Sequence, residues 1–71
     1  MNERRLGNRL KEWRTQRGLT QTDLAVLVGV SRKTINTVEN SVFVPSTLLA
    51  LALAHTLETS VEQLFYITSE E

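Results

Sequence analysis

Two helix-start signals, Thr20 and Ser31, stand eleven residues apart, and a glycine, Gly29, lies just before the second. No other feature limits the possible folds of this chain as tightly. Thr20 has Asp23 three residues on, an approximate capping box. Leu24, Ala25 and Val28 then recur on one helical face. Gly29 can take the positive φ that stops a helix. Ser31 caps the next run, in which Ile35 and Val38 face inward. The spacing predicts two short helices, over 21–28 and about 32–40, joined by a tight turn. Ala25 is expected where they cross, because a small side chain lets the backbones approach.

Around this pair the sequence predicts three more helices, giving an all-α, five-helix single domain over residues 1–71. The first spans about 2–17, with Leu6, Leu10 and Trp13 at helical spacing and Gly18 as its stop. Pro45 breaks the pattern, and Ser46 caps a fourth helix over about 47–56. That helix carries Leu48, Leu49, Leu51, Leu53 and three alanines, so it is expected at the centre of the core. Val42, Phe43 and Val44 are expected to pack beneath it. A short fifth helix opens at Thr59 or Ser60 and reaches about Phe65. Residues 65–68 have β-propensity, which allows a short extended C-terminal segment.

Composition removes several classes of function. There is no cysteine, hence no disulfide framework and no thiolate metal site. His55 is the single histidine; it sits in an Ala/Leu-rich helix with no cysteine, and its nearest acid in sequence is Glu58, so packing or surface is expected for it rather than a metal, cofactor or catalytic role. No phosphate-binding loop, zinc-protease motif or nucleophile elbow occurs. The longest apolar run, 48–54, is far short of the ~20 residues that span a bilayer. No signal-peptide pattern is visible. The expectation is a soluble, cytoplasmic protein that is not an enzyme and has no membrane partner.

The formal net charge is zero, yet the charges are segregated. Residues 1–38 hold all eight bases and three acids, a net of +5, and residues 39–71 hold five acids and no base. One half is suited to a polyanion. A helical wheel of the third helix, at about 100° per residue, puts Ile35, Val38 and Glu39 on the inner side. Arg32, Lys33, Asn36, Thr37 and Asn40 fall on the outer side, which contains no acid and no apolar residue. Such side chains match base edges in the major groove: Arg or Lys to guanine, Asn to adenine, the Thr methyl to thymine. The inward acid Glu39 needs a partner, and the first helix places Arg14 inward as well. An Arg14–Glu39 ion pair between the first and third helices is therefore expected.

The segment LKEWRTQRGLTQTDLAVLVGVSRKTINTVEN resembles the XRE family, the lambda-repressor and Cro-like helix-turn-helix regulators. The likeness extends over about residues 6–65. It implies a compact domain with its helix-turn-helix at 21–40 that binds operator DNA, usually as a homodimer. It implies base contacts from Arg32, Lys33 and Thr37, with Asn36 beside them. Gln21 takes the position of a family residue that touches phosphate and can brace the recognition helix, and Asn40 lies where the helix end meets the backbone. Thr20 and Thr34 are further backbone candidates. Arg14 and Glu39 match the family's bridge between helices. One departure is the loop 41–45, which reads SVFVP where the family often has a base. Arg9 and Lys11, or Arg4 and Arg5, are expected to supply the missing phosphate contacts.

A domain this small covers few base pairs, and two copies make the site palindromic. The expected dimer face is the C-terminal end, 57–67, with Val61, Leu64, Phe65, Tyr66 and Ile67. The leading expectation is a dimeric, sequence-specific repressor of transcription. The alternative is an antitoxin-like or adaptor module that binds a protein partner through its acidic half, with DNA binding secondary.

Overall fold

A computed structural model describes residues 3–70, with side chains for 5–68. The chain begins with a strand, β1 (Glu3–Asn8), followed by α1 (Leu10–Gln16), α2 (Gln21–Val28), α3 (Arg32–Glu39), α4 (Thr47–Thr56), α5 (Val61–Leu64) and a closing strand, β2 (Phe65–Glu70). β1 and β2 pair antiparallel, with Leu6 opposite Ile67 and Asn8 opposite Phe65. Among the described residues no helix is long and apolar enough to cross a membrane.

The caps fix the helix starts. Thr20 Oγ1 accepts from the Asp23 amide while Asp23 Oδ2 accepts from the Thr20 amide, a complete capping box. The Thr20 amide donating to the carboxylate, and next the Thr20 hydroxyl beside it, hold the Asp23 carboxyl below its ordinary value. Ser31, Ser46 and Ser60 cap α3, α4 and α5 in the same way, each through an amide three residues on. Gly29 ends α2 at φ 77°, as the turn requires.

The core joins Leu10 of α1, Leu24 and Ala25 of α2, Ile35 and Val38 of α3, Leu53, Ala54 and Leu57 around α4, and Leu64 and Phe65 at the end. Ala25 is buried at 3% exposed, and α2 and α3 pack against each other.

Three expectations are corrected. The first helix does not span 2–17: residues 3–8 are a strand, and the helix begins at Leu10. Residue 2 lies outside the described residues. Leu6 still packs against the core, now from a strand, so its spacing from Leu10 fits either conformation. Pairing with β2 decides between them. The ring of Tyr66 lies over Gly7, where a Cβ would meet its outer edge, so glycine lets the ring lie flat against β1. The fourth helix is core on one side only, because Leu48 is 79% and Leu51 54% exposed. Nor do residues 42–44 pack beneath α4: Val42 is 76% and Val44 69% exposed, and Phe43 46%. Ser41 turns the chain outward at φ 61°, and the amides of Val42 and Phe43 both donate to Thr37 O, closing the end of α3 instead.

Ser41 adopts a left-handed conformation that costs a residue with a side chain about 1–2 kcal/mol, whereas glycine loses about 0.5–1 kcal/mol through the unfolded chain. Ser41→Gly should therefore raise stability by about 0.5–1 kcal/mol in urea melts. An unchanged or lower midpoint would show that the turn is unstrained.

Candidate nucleic-acid interface

The third helix is held at its inner side by a buried ion pair. Arg14 Nε donates to Glu39 Oε2 at 2.6 Å and Arg14 Nη2 to Oε1 at 3.2 Å, with the two side chains 9% and 4% exposed. Arg14 Nη1 also donates to Leu19 O at 2.8 Å. A carboxylate only accepts, so Gln21 must turn its amide nitrogen toward it, and Nε2 donates to Glu39 Oε1 at 3.0 Å. Gln21 Oε1 is then left toward Asn36, whose Nδ2 lies 3.5 Å away, and Asn40 Nδ2 donates to Asn36 Oδ1 at 3.2 Å. The polar side chains thus run from the buried pair out to the exposed face of α3.

On that face Arg32 and Lys33 are exposed in the first turn, while Asn36 and Thr37 are half-buried in the second. Thr37 Oγ1 donates back to Thr34 O at 2.9 Å, so its hydroxyl proton is already used. The Thr34 hydroxyl lies 3.0 Å from that of Ser31 at the helix start, and the Thr20 hydroxyl belongs to the capping box. Asn40 is exposed just past the helix end.

The basic half is less available than its charge suggests. Arg14 is committed to Glu39. Arg17 donates twice to Leu57 O, at 2.7 and 3.0 Å, and so closes the C-terminal end of α4 while lying over Trp13. Arg9, expected at the phosphates, instead sits over the Tyr66 ring, 4.4 Å from its centroid. Among the described residues Lys11, Arg32 and Lys33 are the cations with no such partner. The side chain of Arg4 lies outside the described residues.

The residues expected at a dimer face divide. Leu64 and Phe65, 0% and 7% exposed, are taken up by the monomer's own core, as is Leu57. Sequence periodicity alone does not separate a core position from an assembly position. Tyr66 is partly covered by its stacking on Arg9 and Gly7, while Ile67 is 63% exposed and Val61 half-buried. Two adjoining shallow apolar concavities share Leu6, Val61 and Phe65; Val44 and Leu51 extend one, Tyr66 and Ile67 the other.

Two polar residues have partners that sequence pattern does not signal: Arg17 bonds to the end of α4, and Asn8, which falls in a strand rather than in the expected helix over about 2–17, bonds to the Leu10 amide and the Val38 carbonyl.

A family model described as helix-turn-helix matches residues 10–64. An uncharacterized HTH-type transcriptional regulator of Bacillus subtilis, YgzD, is 36% identical over 63 residues, covering 89% of this chain and 96% of the relative. A similarly described regulator of Archaeoglobus fulgidus is 40% identical, covering 89% and 90%. Among solved structures, the restriction-modification controller protein C.AhdI of Aeromonas hydrophila superposes with a TM-score of 0.73 at 36% identity, covering 78% of this chain and 83% of that one. The clp gene regulator ClgR of Corynebacterium glutamicum gives 0.70 at 29% identity, covering 73% and 55%.

Proposed function

The chain belongs to the helix-turn-helix family of XRE-type transcriptional regulators, and from that premise we propose that it is a sequence-specific repressor that binds a palindromic operator as a homodimer. The observation that carries this reading is the outer face of α3: two unpartnered cations and two carboxamides, with no acid, on a helix anchored from behind by Arg14–Glu39. In this reading Arg32 and Lys33 reach guanine edges, Asn36 an adenine, and the Thr37 methyl a thymine. Thr20, Gln21, Thr34 and Asn40 flank that face and meet the backbone, Lys11 supplies charge, and Arg9 contributes only if it leaves Tyr66.

The dimer face in this reading is the apolar concavity of Val61, Ile67, Leu51 and Val44, shifted from the C-terminal end toward α4. Exposed apolar residues gathered in one place fit an association surface. The reading is tested by selecting bound duplexes from a randomised pool. It expects an inverted repeat with half-site centres about 34–36 Å apart along the DNA, together with a dimer in sedimentation. A pool that yields no common sequence overturns base reading. A monomer at micromolar concentration with a single unrepeated site overturns the dimer.

A further inference from the structure

Asn8 is the last residue of β1, yet its carboxamide leaves the strand pair and spans two helix ends. Its Oδ1 accepts the Leu10 amide at 3.0 Å, one of the orphan donors at the start of α1. Its Nδ2 donates to Val38 O at 3.0 Å, with Glu39 O at 3.5 Å and Ser41 Oγ at 3.4 Å, at the last turn of α3. The orientation is dictated on both sides, since an amide N–H only donates and a carbonyl only accepts. On the far side, Asn8 is paired with Phe65 at the start of β2, the strand that carries Ile67.

We propose that Asn8 is a positioning residue for DNA reading: it ties the β1–β2 pair, which contributes Ile67 to the self-association face and runs on from Val61 of α5, to the recognition helix, and so helps to fix the distance and angle between two recognition helices. This inference rests on the dimer reading above. With the clamp in place, a shift of one base pair between half-sites, about a tenth of a turn, cannot be absorbed by moving α3 relative to the strand pair. Without it, the last turn of α3 loses its side-chain tie to β1.

The test uses duplexes with the two selected half-sites at the preferred spacing and with one or two base pairs inserted. Asn8→Asp keeps an oxygen for Leu10 but turns a second oxygen toward the α3 carbonyls. Asn8→Ser keeps a smaller acceptor and adds no charge. The readout is each protein's affinity at a shifted spacing relative to its own affinity at the preferred one. A variant that is merely less folded loses both in proportion, and the ratio does not move. The parent is expected to lose more than about tenfold per inserted base pair, and each variant less than about threefold. A steep parent penalty retained in a folded, dimeric Asn8→Asp or Asn8→Ser overturns the inference and leaves the dimer reading standing. A parent indifferent to spacing overturns the dimer reading, and the inference with it.

Discussion

Glu39→Ala is expected to lower stability by about 3–5 kcal/mol, because it strands the Arg14 guanidinium in a site 9% exposed. Two donors from Arg14 and one from Gln21 converge on the carboxylate, so its loss leaves three N–H groups without their acceptor. In a domain of 71 residues a loss of that size shifts the melting temperature by more than about 10 °C. Arg14→Ala should cost about as much, for the converse reason. Replacing both together with apolar side chains of similar volume should cost less than either single change, since neither charge is then abandoned. Thermal and urea melts of the three variants check this. Single variants as stable as the parent would show that the pair does not anchor α3.

Lys33→Ala and Asn36→Ala are expected to act on discrimination more than on stability. Each should reduce preference for the selected operator over a mixed-sequence duplex by about 1–3 kcal/mol, roughly five- to 150-fold, concentrated at one base pair. Lys33 also carries charge, so its variant should weaken mixed-sequence binding somewhat, and the Asn36 variant much less. Competition binding against operators changed at single positions separates the two effects. Equal weakening at every position would assign these residues to the phosphates.

The part of the molecule that holds α3 was legible because its signals are local. Thr20, Gly29 and Ser31 punctuate the chain within a dozen residues, and the wheel that turned Glu39 inward also turned Arg14 inward. The β1–β2 pair was not legible for the opposite reason. β1 and β2 lie at opposite ends of the sequence, and Leu6 fits a helix as well as the strand it forms. Once residues 3–8 are read as helix, Asn8 disappears as a clamp and Arg9 appears as a solvent-facing base. Hydropathy likewise places Leu48 and Leu51 with Leu53, although only Leu53 is buried by the chain itself. Charge counting overstated the basic half, because Arg14 and Arg17 hold helices together.

That last point makes the salt dependence of DNA binding the most direct test. Affinity for a mixed-sequence duplex should be measured across salt concentrations from about 50 to 200 mM. With Lys11, Arg32 and Lys33 as the cations without a partner among the described residues of each protomer, the log–log slope is expected to be roughly −3 to −5 for a dimer. Binding that is absent, or that does not change with salt, would contradict DNA recognition by α3 and favour an adaptor that meets a protein partner through its acidic half.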